Sequence, residues 1–130
     1  MSRPLELVRG LHNLRPDHRG CVATIGNYDG VHRGHQHMLE ATRRKADALG
    51  VPVTVVTFEP TPREFFEGVA APARLMRLRE KLEALALYGV DRVVVLRFDA
   101  RMRNFSAAEF EQRLLVAGLG VRHMVVGHDF

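Results

Sequence analysis

Short runs of apolar, often β-branched residues alternate along the chain with segments whose apolar positions recur every three or four residues. "CVATIG" (21–26), "PVTVVTF" (52–58), "DRVVVLRF" (91–98) and "VRHMVVG" (121–127) are of the first kind. Such near-continuous runs suit strands of a parallel sheet covered on both faces. After the first run, Met38, Leu39, Thr42, Ala46 and Leu49 share one helical face, and Gly50 follows as a stop. A second helix places Leu75, Leu78, Leu82 and Leu85 on one stripe ahead of Gly89. A third opens at Ser106 with Glu109 three residues on, a capping-box signature, and carries Ala107, Phe110, Leu114 and Ala117 inward. Strand and helix in alternation predict an α/β fold with a doubly wound parallel sheet, whose right-handed crossovers need connections of this length.

Length adds that 130 residues, 14.7 kDa, make one domain with a real core rather than two. A chain 46% hydrophobic and 26% charged reads as a soluble globular protein, and no window approaches the roughly 18 apolar residues of a membrane span. The opening "MSRPLELVRG" has no apolar stretch of the secretory kind. Cys21 is the single cysteine, so no internal disulfide forms; it reads as a small buried hydrophobe in a cytoplasmic protein.

A net charge of +4 favours an anionic ligand. The basic residues are interspersed with acids along helical segments: Arg43, Arg44, Lys45, Arg74, Arg77, Arg79 and Lys81 beside Glu40, Asp47, Glu80 and Glu83. They read mainly as solvated helix faces. No basic run is interleaved with aromatics, so neither nucleic acid nor a membrane is the expected partner.

Two irregular segments hold the candidate chemistry. "EPTPREFFEGVAAPA" (59–73) follows the second strand and contains three of the six prolines. Ligands of open parallel sheets bind outside the carboxyl ends of the strands, where this loop must lie. The other segment, "TIGNYDGVHRGHQHML" (24–39), fills the first strand-to-helix turn and carries Gly26, Gly30, Gly34, His32 and His35. Unpaired amides and the positive end of a helix dipole make that turn an anion site, and glycines let phosphate oxygens approach. It matches neither G-x-x-x-x-G-K-[ST] nor G-x-G-x-x-G; its own pattern is H-x-G-H.

Three roles compete for the histidine pair. A zinc pair needs further ligands, and His12, His18, His37, His123, His128 and Cys21 show no metal-type spacing. An acid-base histidine needs an orienting carboxylate, for which Asp29 is near in sequence. A clamp on a triphosphate, with two imidazoles donating N–H bonds to phosphate oxygens, suits the location best. Tyr28, in the same turn, offers an adenine contact, and His37 reads as solvated.

"GNYDGVHRGHQ" resembles the signature of the H-x-G-H nucleotidyltransferases, and in particular the FMN adenylyltransferase (FAD synthetase) module of the bacterial bifunctional riboflavin kinase/FAD synthetase family. "TFEPTPREFF" (57–66), "RLMRLREKLEALALYGVDRVVVLRFD" (74–99) and "VVGHDF" (125–130) resemble further motifs of that family, in its order. The resemblance implies a Rossmann-like sheet of the nucleotidyltransferase type and the reaction of FMN with ATP to give FAD and pyrophosphate, with Mg2+. By the same resemblance His32 and His35 contact the ATP phosphates, while Gly26, Asn27, Asp29, Gly30 and Gly34 shape the turn around the nucleotide. Phe58, Pro60 and Pro62 belong to the flavin side, and Asp129 lies near flavin phosphate or magnesium; the metal-ligating residues stay unassigned. Phe65 and Phe66 suit either flavin stacking or local packing.

Family members continue past the "DF" of the last motif into a serine/threonine motif with further ATP contacts and then a riboflavin kinase barrel. The expectation is an adenylyltransferase domain over 1–130, incomplete at its C-terminus, with no kinase domain, whose uncovered apolar surface favours self-association. Two alternatives stay open: a related H-x-G-H transferase with another phosphate acceptor, and a catalytically incomplete nucleotide-binding fragment.

Overall fold

The computed structural model describes residues 5–26, 28, 33–59, 78–97, 100, 104 and 106–126. Strand β1 (Glu6–Arg9) leads through two short 3-10 turns, Leu11–Asn13 and Pro16–His18, to β2 (Cys21–Ile25). Helix α1 (Arg33–Leu49), β3 (Val53–Phe58), α2 (Leu78–Leu87) and β4 (Arg92–Leu96) follow. A short helix, α3 (Ala107–Phe110), runs on as a π-helical stretch, Glu111–Gly118, into β5 (Val121–Val126). The sheet is parallel throughout, in the order β1-β4-β3-β2-β5.

Burial follows from the strand sequences. Every residue of β2 and β3 is buried, as expected of central strands with apolar residues on both faces. One face of the sheet sets Cys21, Ala23, Ile25, Val56 and Phe58 against Leu114, Leu119 and Phe110. The other sets Val22, Val53, Val55, Val93 and Val95 against Leu39, Ala46 and Leu85. The helices therefore divide between the two faces, α1 and α2 on one and the α3 segment on the other, which is the doubly wound arrangement expected.

The four expected strands form, and a fifth, β1, joins them. It pairs with β4 from Glu6 opposite Arg92 to Arg9 opposite Val95. Two helix faces also differ from expectation. Lys81, expected on a solvated face, is 2% exposed. It stands three residues after Leu78 and four before Leu85, so helical periodicity places it on the inward stripe. Ala117, expected inward, is exposed, and Leu119 takes its place in the core. The cause is the wider π winding: the Leu119 amide bonds the Leu114 carbonyl five residues back at 2.8 Å, so the 3.6-residue period fails there. The predicted cap is present, with the Glu109 amide donating to Ser106 Oγ at 3.1 Å.

Polar ties fix the amino ends of the strands. Asp91 Oδ2, just before β4, accepts from Arg43 Nη1 at 2.7 Å and from the Val53 amide at 2.8 Å. Arg43 also donates to the Gly89 carbonyl at 2.9 Å, so one guanidinium links α1 to the turn ahead of β4. On the edge strand, Arg92 Nε donates to Glu6 Oε1 at 2.6 Å and Arg92 Nη1 to the His18 carbonyl at 3.0 Å.

Candidate functional site

The order of the strands locates a crevice. From β2 the chain steps to β3 and on to β4, always to the same side, and then returns to place β5 on the opposite side of β2. The winding reverses between β2 and β5, and ligands of such sheets bind at the carboxyl ends of strands flanking a reversal. Helix α1 begins there. Its first three residues are Arg33, Gly34 and His35, and its first turn carries no acidic side chain. A helix of 17 residues presents its unpaired amides and positive dipole end at that point.

His35 is half-buried, with its Nδ1 atom shielded from solvent. Its ring lies 4.9 Å, centroid to centroid, from the ring of Tyr28, with the two planes inclined at 50°. Tyr28 is 1% exposed. Its hydroxyl is 2.8 Å from Thr24 Oγ1 on β2. Burial pushes the Tyr28 phenol up to about 12, against the opposing pull of the Thr24 hydrogen bond. The tyrosine is therefore a neutral, anchored part of the core, and the adenine contact considered for it does not fit a ring so enclosed.

The backbone at Tyr28 is unusual as well. Its φ is 51°, in the left-handed region that bulky residues rarely adopt. Gly26 makes room for the ring: a Cβ there would stand 2.9 Å from Tyr28 Cε2. The Gly26 amide meanwhile donates to the Val56 carbonyl at 3.0 Å, continuing the β2–β3 ladder. Sequence reasoning missed Thr24 as the tether of this arrangement; a buried threonine in an apolar strand carries no signal of its partner.

Of the residues expected at the site, the structure brings Gly34 and His35 to the start of α1 and Gly26 to the end of β2. Phe58 ends β3 with 4% exposure, its ring 6.3 Å from that of Phe110, so its side chain serves the core. Asn27, Asp29, Gly30, His32, Pro60, Pro62 and Asp129 lie outside the described residues, as do Phe65 and Phe66. His37 is exposed, as expected, and Cys21 is fully buried, its thiol pushed up by that burial. Among the described residues, no three histidine, cysteine or carboxylate side chains converge as metal ligands. No helix among them is long and apolar enough to cross a membrane.

The solved structure of a Streptococcus pneumoniae protein described as a macrolide-efflux protein matches 97% of this chain and 42% of its own with a TM-score of 0.84. At 21% identity it shows the fold alone. Over 126 residues the chain is 62% identical to a bifunctional riboflavin kinase/FMN adenylyltransferase of Pseudomonas fluorescens, covering 97% of this chain and 40% of the relative. The enzyme of the same description from Escherichia coli K12 is 49% identical over 127 residues, again 97% of this chain and 41% of the relative. The chain thus spans about two fifths of the length of these relatives. A family model described as FAD synthetase matches residues 14–130. With the reversal at β2/β5, the helix start at Arg33 and that match in accord, the chain belongs to the FAD synthetase family.

Proposed function

We propose that this chain carries the nucleotide-binding portion of an FMN adenylyltransferase, which transfers AMP from ATP to FMN. The observation that carries the proposal is His35 at the first turn of α1, beside the winding reversal, in a chain of the FAD synthetase family. A phosphate oxygen of FMN attacks the α-phosphorus of ATP in line; the bond from that phosphorus to the bridging oxygen breaks, and pyrophosphate leaves with the electron pair. The attacking phosphate is already an anion at neutral pH, so no general base is needed. Positioning and charge neutralisation supply the rate.

His32 and His35 would donate N–H bonds to the triphosphate, where charge grows on the departing pyrophosphate. Gly34 would let phosphate oxygens reach the amides of α1, with Asn27, Asp29 and Gly30 shaping the turn ahead of it. Pro60, Pro62 and Asp129 would stand on the flavin side, and Phe58, from within the core, would fix the strand end from which that segment departs. Magnesium would come as part of the ATP substrate, held largely by the phosphates. Buried Cys21 suits a cytoplasmic setting. Strand β5 is the outer strand beside β2, and self-association through this edge would show as a concentration-dependent mass in sedimentation.

The test is chromatographic detection of FAD after incubation of the purified chain with FMN, ATP and magnesium, alongside His32→Ala and His35→Ala. The expected result is FAD from the parent chain and none from either variant. A folded chain that binds neither ATP nor FMN would overturn the proposal.

A further inference from the structure

Among the described residues of the turn, the aromatic ring against His35 stands out as a feature that phosphate binding does not explain. Four observations meet there. Tyr28 is 1% exposed in a turn where solvent or ligand would be expected to reach. It holds a left-handed φ of 51° that a glycine would adopt more readily. Its hydroxyl reaches back to Thr24, near the carboxyl end of the fully buried strand β2. Gly26 lacks the atom that would collide with the ring. A residue that served only to fill volume would need neither the strained backbone nor a buried hydroxyl pair, each of which costs free energy when unsupported.

We propose that Tyr28 is a positioning residue: tied to β2 through Thr24, it sets the orientation of the His35 imidazole at the start of α1. The proposal rests on the reading of His35 as a phosphate contact. The hydroxyl pair fixes the ring relative to the sheet, and the ring, tilted against the imidazole at 4.9 Å, limits how that imidazole can rotate. The direction of the His35 N–H is thereby referred to β2, every residue of which is buried. Tyr28 acts through His35 and does not itself touch the nucleotide.

The experiment uses the full 130-residue chain and reads His35 directly, by the nitrogen and carbon chemical shifts of its imidazole, together with ATP affinity and the kcat and KM of FAD formation. Tyr28→Leu keeps a buried apolar side chain and removes the ring. It should move the His35 shifts and weaken ATP binding or kcat by about 10- to 100-fold, the range of a misplaced binding group, while FMN affinity stays unchanged. Tyr28→Phe and Thr24→Val each remove the tether and keep the ring. They should produce the same smaller shift at His35, and the double variant should be no worse than either single one, as coupled partners require. Thr24→Ser, which restores the hydroxyl, should recover the parent spectrum.

Unchanged His35 shifts and ATP affinity in a folded Tyr28→Leu chain would overturn the proposal. If Tyr28→Leu does not fold, unmoved His35 signals in folded Tyr28→Phe and Thr24→Val would do the same. Shifts that move as expected in a chain whose ATP affinity is insensitive to His35→Ala would instead confirm the positioning and remove the phosphate role.

Discussion

A Cβ on Gly26 would stand 2.9 Å from Cε2 of Tyr28, closer than packed atoms tolerate. The contact is with a ring atom enclosed in the core, which cannot swing aside as the end of a flexible chain would. Gly26→Ala should therefore force the ring or the strand end to shift, at about 1–3 kcal/mol, the usual cost of overpacking. Thermal unfolding should show this as a melting point lower by about 3–10 °C. A melting point within a degree of the parent would mean that the slot around Tyr28 has slack.

Burial of Tyr28 gives stability a dependence on alkaline pH. Below pH 10.0, the ordinary value for tyrosine, the phenol is protonated folded or unfolded and its full contribution is present. Above it the unfolded chain releases the proton while the folded chain holds it up to about 12, so stability falls with rising pH. The loss across that window is about 2–3 kcal/mol. Urea unfolding measured at steps from neutral to strongly alkaline pH should show a steeper decline for the parent than for Tyr28→Phe. Parallel curves would contradict the burial.

Asp91 is a purely structural carboxylate. Its Oδ2 serves both Arg43 and the Val53 amide, so Asp91→Ala leaves two donors without their acceptor. The expected cost is about 2–3 kcal/mol in denaturant unfolding. These groups sit at the amino ends of β3 and β4, opposite the end where α1 begins. ATP affinity of the folded variant should equal that of the parent; a weakened affinity would show that the two ends of the sheet communicate.

Glu6 makes the acid side informative. The hydrogen bond from Arg92 holds its carboxyl below the ordinary 4.5, against the opposing effect of burial. Its contribution is present above that ordinary value and disappears as pH falls through the lower folded one. Glu6→Gln should lose stability near neutral pH and show a flatter acid limb in unfolding experiments, with protection of the β1 amides from hydrogen exchange reduced first. An acid limb identical to the parent's would assign the acid sensitivity elsewhere.

The central strands were legible because Cys21–Ile25 and Val53–Phe58 are buried on both faces, and such runs leave little else they could be. Strand β1 was not. Of Glu6–Arg9 only Val8 is buried, and an edge strand with one inward residue carries almost no periodic signal. Lys81 was misjudged because a charged residue on an apolar stripe is read by its chemistry, although the helix places it by its position. At the site, the H-x-G-H pattern marked the helix start. Tyr28 was ambiguous, since a tyrosine among glycines suits a ligand contact and packing alike. Only the missing Cβ of Gly26 and the hydroxyl of Thr24, both features of three-dimensional placement, turn that side chain inward.

The return of β5 to the far side of β2 also orders the assembly of the protein in time. Cys21 pairs with Val121, across nearly the whole of the described chain, whereas the opposite edge of β2 is satisfied by β3 as soon as residue 56 is available. During synthesis β2 therefore has one flank bonded early and the other open until almost the last described residue has been made. Closing so long a loop is slow relative to the local β2–α1–β3 unit. The face against which Leu114 and Leu119 pack stays bare for the same interval, so the junction of β2 with β5 and the core on that face come into being in one late step.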